Sequence, residues 1–178
     1  MSPGLVPEGT SRVRANDAPM DAITLLKDDH KKVKALLKEL EGMDDAAPSE
    51  KRAKAETVIR ELMVHETIEE QVFYPAFKKA ADEEGQALVA ESKEEHHVVD
   101  LLMDELQAVD LDDPQFDAKM KVLQENVEHH IEEEEEKMFP DARKLLGNAK
   151  LQELGLAMEE LKKSLLRSPG QKRESFAR

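Results

Sequence analysis

Three observations predict an all-α fold, an antiparallel up-down-up-down four-helix bundle with an additional C-terminal helix. Apolar residues recur at helical spacing in four long segments, connections of a few residues join them, and the first pair of segments is repeated in the second. Composition agrees: 39% of residues are hydrophobic and 37% charged, but only 3% aromatic, so the core must be built from Leu, Val, Ile, Ala and the 8 Met residues. The whole is about the size of one domain with flexible ends.

The first helix is expected from about Asp21 to Glu41, with Ile23, Leu26, Val33, Leu36, Leu37 and Leu40 facing inwards and Gly42 as its stop. After the turn "GMDDAAPSE", a second begins near Ser49 and carries Val58, Ile59, Leu62, Phe73 and Phe77 on one side. A third spans roughly Gln86 to Val109, and "DLDDPQ" leads into a fourth that reaches about Leu146, where Gly147 and Asn148 end it. The segment "AKLQELGLAMEELKKSLL" then places Leu151, Leu154, Met158, Leu161 and Leu165 at helical spacing, a stripe suited to covering one face or one end of the bundle. The expected organisation is therefore a bundle over residues 20–146 and an accessory helix over 147–166. A disordered N-terminal extension covers 1–19 and a basic, polar tail 167–178.

Charge and residue usage exclude several classes of function. With 26 Lys and Arg against 40 Asp and Glu the formal charge is −14, which repels phosphate backbones and anionic membranes, so neither nucleic acid nor membrane is an expected partner. The absence of cysteine removes disulfides, thiolate metal sites and cysteine redox chemistry. No stretch reads as a signal peptide or approaches the roughly 18 apolar residues of a membrane span. A cytoplasmic protein is expected.

The repeat locates the chemistry. "DDHKKVKALLKEL" aligns without a gap on "EEHHVVDLLMDEL", pairing His30 with His96, and "HETIEEQVFYP" aligns on "HIEEEEEKMFP", pairing His65 with His130 and Glu69 with Glu134. At 100° per residue, His65 and Glu69 lie about 40° apart once a full turn is removed. Val58 and Leu62 share that face, which must therefore be buried. Phe116, Met120, Leu123, Val127 and Met138 do the same for His130 and Glu134. His30 aligns with Val33, Leu37 and Leu40, and His96 with Val99, Met103 and Leu106. In the glutamate run, Glu132, Glu135 and Glu136 fall on the outer side, about 140° to 240° from His130, while Glu133 borders the inner face. His129 and His97 are each about 100° from their inward neighbour and read as flank residues, with His97 an alternative ligand if the helix rotates.

Four inward histidines and two inward glutamates are costly in a low-dielectric core, where an unpaired ionised carboxylate costs several kcal/mol. Neutral imidazole with carboxylate around one or two cations satisfies every group at once. Six donors divide into two sites, each Glu bridging both ions and each ion taking two His. A bridging oxide or hydroxide would make each ion five-coordinate, with one position open. The donor set suits iron, manganese, cobalt or zinc alike.

These residues resemble the hemerythrin-like, or HHE cation-binding, family, on the motifs "DDH" at 28–30, "HETIEEQVFYP" at 65–75, "EEHH" at 94–97 and "HIEEEEEKMFP" at 130–140. The resemblance covers about residues 20–146. It implies a non-haem di-iron centre, two Fe ions (Fe2+/Fe3+) with a bridging oxo or hydroxo group, held by His30, His65, Glu69, His96, His130 and Glu134. Oxygen carriers of the family are similar except for a further histidine where this chain has Ser92 and an aspartate where it has Glu134. A more symmetric site with two open positions follows.

The expected function is to bind O2 or NO at those positions, in sensing, storage or scavenging. The alternatives are a di-iron redox enzyme that decomposes peroxide or reduces nitric oxide, and an iron buffer. For the enzyme, Tyr74, Glu66 and Glu133 are candidates to move protons; their ordinary roles would be packing for the tyrosine and surface charge for the glutamates. A ferritin-like ferroxidase would want Glu-x-x-His on two helices, and only Glu94 to His97 has that spacing.

Overall fold

The computed structural model describes residues 20–43, 46–111 and 113–167. The expected disordered segments, 1–19 and all of the tail but Arg167, lie outside the described residues. Every element among the described residues is helical: α1 (Ala22–Glu41), α2 (Pro48–Ile68), α3 (Tyr74–Ala80), α4 (Glu83–Ala108), α5 (Pro114–Glu133) and α6 (Phe139–Arg167).

Two of the joints are not loops. A π-helical turn, Glu69–Phe73, carries α2 into α3, and another, Glu134–Met138, carries α5 into α6. Each precedes a proline, Pro75 or Pro140, that would clash with the carbonyl four residues back in a regular α-helix. A wider turn with i→i+5 bonding relieves that clash, so both rods continue through their prolines. The bundle therefore has four rods: α1; α2 with α3; α4; and α5 with the start of α6.

Local chemistry sets the ends. Asp21 caps α1 by accepting from the backbone N–H of Ile23 and of Thr24, both at 3.1 Å. Asp82 caps α4 through Gly85 N, and Asp113 caps α5 through Gln115 N; such caps contribute about 1 kcal/mol each. Pro48 and Pro114 occupy first-turn positions where the missing N–H costs nothing. Within α6, Gly147 at φ 70°, ψ 167° breaks the helix in a conformation that disfavours side chains with a Cβ. It ends the fourth rod where the sequence places the stop.

α1 packs against α2 and α4 against α5, forming the two hairpins; α2 then meets α4 and α1 meets α5. The accessory half of α6 lies along α1 and seals the end of the bundle, burying Leu151, Leu154 and Met158. This close crossing needs Gly155, because a Cβ there would sit 2.1 Å from the Met20 carbonyl oxygen and 2.9 Å from Ala22 N. The core falls into two apolar layers. One joins Ile23, Leu26, Phe73, Phe77, Phe139 and Met158 at the α6 end, and the other joins Val33, Leu37, Leu62, Val99, Met103, Leu123 and Val127. Between them lies a layer of buried polar side chains.

Candidate metal centre

That layer contains all six side chains singled out from the repeat. His30, His65, Glu69, His96, His130 and Glu134 are each 5% exposed or less. α1 supplies His30, α2 His65, α4 His96 and α5 His130, while each glutamate stands at the first position of a π turn. The imidazoles pair by hairpin: the His30 and His65 rings meet edge to face at 4.8 Å, and those of His96 and His130 at 4.6 Å.

The carboxylates link the two pairs. Glu69 Oε1 lies 3.3 Å from His65 Nε2, and its Oε2 lies 3.4 Å from His96 Nε2. Glu134 Oε2 lies 3.2 Å from His30 Nε2 and 3.6 Å from His130 Nε2. The other Glu134 oxygen accepts a 2.9 Å hydrogen bond from the Tyr74 hydroxyl, which also lies 3.3 Å from His96 Nε2. Donor atoms of His30, His65, Glu69 and Glu134 form one compact group, and those of Glu69, His96 and His130 a second that shares Glu69.

An outer ring of carboxylates faces the far side of the imidazoles. His30 Nδ1 is 2.9 Å from Glu135, His96 Nδ1 is 3.0 Å from Glu70, and His130 Nδ1 is 2.8 Å from Glu95. An ionised carboxylate only accepts, so each Nδ1 carries a proton, and in the neutral ring the inward-facing Nε2 is then left with a lone pair. His65 differs: its Nδ1 is 3.9 Å from Asp29. The ring obeys the internal repeat, Asp29 corresponding to Glu95 and Glu70 to Glu135. Periodicity assigned Glu135 to the solvated face; it is instead half-buried, held between His30 and Lys27.

Other expectations are also corrected or placed. Glu66, a candidate proton carrier whose ordinary role would be surface charge, is not at the surface: it is buried and lines a small cavity beside the four imidazoles, roofed by Val33, Leu62, Val99 and Val127. Glu133 pairs with Lys137. His129 is 64% exposed and His97 lies at the surface, both outside the buried layer.

Electrostatics divides the two glutamates. Burial, and then the charge of Glu134, push the Glu69 carboxyl well above its usual range. Burial opposes ionisation of Glu134 too, but His130, His30 and His65 outweigh it and hold that carboxyl well below the usual range. Burial pushes the His65 imidazole down to about 4. It also works against the His130 imidazolium, yet Glu134 and Glu95 leave that group above its ordinary value. Without a cation, the two carboxylates thus share one negative charge, as close like charges must.

Several atoms of this layer are left without a hydrogen bond: His30 Nε2, both nitrogens of His65, both oxygens of Glu69 and Oε2 of Glu134. The His96 and His130 Nε2 atoms face each other at 3.1 Å while both Nδ1 atoms donate to carboxylates. Opposed lone pairs at that distance require a positive charge between or on them. A donor set of imidazole and carboxylate suits divalent or trivalent transition ions.

A family model, the hemerythrin HHE cation binding domain, matches residues 21–142. The chain belongs to the hemerythrin HHE cation-binding family. A crystal structure of a hemerythrin HHE cation binding domain-containing protein from Mycobacterium kansasii superposes with a TM-score of 0.69 and 27% identity, covering 86% of this chain and 94% of that one. A hemerythrin-like protein of Schizosaccharomyces pombe is 30% identical over 103 residues, 58% of this chain. The match spans about half of that relative, 51% of its length. As a hemerythrin-like bundle the chain combines a cation-binding domain with the His and Glu clusters above, and no helix among the described residues is long and apolar enough to cross a membrane.

Proposed function

We propose that this chain is a non-haem di-iron protein that binds a small ligand, O2 or NO, at open coordination positions of the metal. The observation that carries the reading is the convergence of six buried side chains, four of which, His30, His65, Glu69 and Glu134, turn inward-facing polar atoms at one another without a hydrogen bond, while the Nε2 atoms of the other two, His96 and His130, oppose each other at 3.1 Å. His30 and His65 would hold one ion and His96 and His130 the other. Glu69 would span both, one oxygen towards each pair, and Glu134 would complete the set. Iron, when bound, would supply open coordination positions and a reversible Fe2+/Fe3+ couple.

The protein's own residues do the rest. Glu135, Glu70 and Glu95 fix three imidazole tautomers so that Nε2 faces inwards. The Tyr74 hydroxyl orients Glu134, and its ring stacks on His96 at 5.6 Å, as Phe139 stacks on His30 at 5.6 Å. The two apolar layers flank the polar one, and the small valine-roofed cavity lies directly against all four imidazoles.

The test is metal analysis and an optical spectrum of protein from iron-supplied cells, then anaerobic reduction and exposure to each gas. Two irons per chain and a new absorption band with O2 or NO are expected. A ferrous protein unmoved by either gas overturns the reading.

One observation favours a second reading, peroxide decomposition. Glu66 is a buried carboxyl on the cavity wall, where its repeat counterpart is Ile131, and Tyr74 brings a hydroxyl against Glu134 and His96. Disproportionation moves two electrons and two protons from one peroxide, leaving O2, to a second, giving two waters, and needs protic groups within reach. Peroxide turnover no faster than free iron removes this reading.

A further inference from the structure

Three of the four inward imidazoles have a carboxylate within hydrogen-bond distance of Nδ1, and the fourth does not. His65 Nδ1 and Asp29 Oδ2 stand 3.9 Å apart, and neither atom makes a hydrogen bond. The other Asp29 oxygen is taken by the Lys162 ammonium, which reaches in from the accessory half of α6. Asp29 is only 8% exposed, so the pair is shielded from solvent. Its repeat counterpart Glu95 has no such lysine. It lies 2.8 Å from His130 Nδ1, with its other oxygen 3.7 Å from His129. The outer ring is therefore broken at one position, and there a helix outside the four-rod bundle enters.

We propose that Lys162 is a positioning residue that withholds Asp29 from His65, so that the cation position served by His30 and His65 is the weaker of two unequal positions. The inference rests on the two-cation reading above. A carboxylate donating charge through Nδ1–H makes an imidazole a better ligand and locks its ring; losing such a partner typically weakens metal binding 10- to 100-fold. An ammonium ion paired to the carboxylate neutralises it and anchors it away from the ring, which removes most of that support. Asp29 is also one methylene shorter than Glu95, so chain length is the competing explanation for the gap. α6 thereby couples the docking of the C-terminal segment to the properties of one ion and leaves the other, backed by Glu70 and Glu95, untouched.

The test titrates Co2+ into the metal-free full chain, following heat and visible absorption, in the wild type and in Lys162→Met, Lys162→Gln, Asp29→Asn and the double variant Asp29→Asn/Lys162→Met. The wild type should bind two equivalents in two resolved steps. Lys162→Met should tighten the weaker step on the order of tenfold and leave the tighter step within about twofold. The gain should vanish in the Asp29→Asn background, which a merely structural role for the lysine would not require. Lys162→Gln, which leaves a neutral donor beside Asp29, should give a smaller gain and covers the case that the Met variant folds poorly. Asp29→Glu, with Lys162 in place, separates chain length from charge: a gain there but none in either Lys162 variant overturns the proposal, as do two equal steps in the wild type. Fewer than two equivalents in the wild type sinks the two-cation reading and this inference with it.

Discussion

The Tyr74 hydroxyl donates a 2.9 Å hydrogen bond to Glu134, yet Tyr74 and Glu134 come from different hairpins and the repeat counterpart of Tyr74 is Phe139. The pseudo-twofold bundle is thus polar on one side of its centre and apolar on the other. Tyr74→Phe makes the two sides alike at this position. It leaves the packed ring in place but strips a fully buried carboxylate of a donor, a loss of about 1.5–3 kcal/mol for a bond to a charged group. The metal-free variant should unfold at correspondingly lower urea. An unchanged midpoint would mean that Glu134 draws its stability from the histidines alone.

Opposite shifts at the two central carboxyls give opposite consequences for isosteric neutralisation. In the metal-free protein Glu69 is the carboxyl that keeps the shared proton, so Glu69→Gln replaces one neutral group by another and should change stability by less than about 1 kcal/mol. Glu134 is ionised among His130, His30 and His65, and Glu134→Gln breaks that buried cluster at a cost of about 3–5 kcal/mol. Denaturant midpoints of the two metal-free variants check the order. Adding metal should then reveal the converse for Glu69: the variant, harmless without a cation, should lose most of the stabilisation that loading confers.

Much of this was legible beforehand because burial in a bundle follows a simple period. The stripe that carries Val58 and Leu62 also carries His65 and Glu69, and a one-turn spacing is robust to small errors of helix phase. What escaped was set by neighbours rather than by period. α2 is buried over most of its circumference, with Glu61, Leu62, Val64, His65, Glu66 and Ile68 all covered, so a 100° offset from His65 did not put Glu66 outside. The π turns arise from prolines two residues beyond them, and they alter the phase of the residues that follow the glutamates. That is why Glu135, placed outside by a regular helix, reaches His30. Asp29 acquires its partner from 133 residues away, a contact no local pattern carries.

Crossing α6 over the start of α1 depends on a single missing methyl group. Gly155→Ala would place a Cβ 2.1 Å from the Met20 carbonyl and 3.0 Å from the Asp21 carbonyl carbon, and neither backbone atom can rotate away. Gly155 is helical, so the gain in helix propensity from alanine, about 1 kcal/mol, competes with an overpacking cost of about 1–3 kcal/mol or more for a rigid clash. The clash should win. Net destabilisation in thermal unfolding is expected, with increased proteolysis confined to the accessory half of α6, since the four rods keep their own apolar layers. A stabilised variant would show that α6 shifts along α1 without loss.

The metal-free protein should weaken as mild acid is reached, with His65 as a principal cause. Its imidazole titrates near 6.5 when unfolded and at about 4 when folded, because burial disfavours the imidazolium. A depressed folded value means that the unfolded chain binds the extra proton first. The stability is therefore complete above pH 6.5, declines as pH falls, and is fully lost once pH has passed through about 4. The total is on the order of 3 kcal/mol for such a shift. His130 has the opposite sign, its raised value adding stability that is present below 6.5 and lost as pH rises through its folded value, so the two partly offset near neutrality. His65→Gln, which cannot titrate, isolates the first effect. Urea midpoints measured between pH 7 and 4 should fall less steeply in the variant than in the parent, and parallel slopes would mean that the acid sensitivity lies elsewhere.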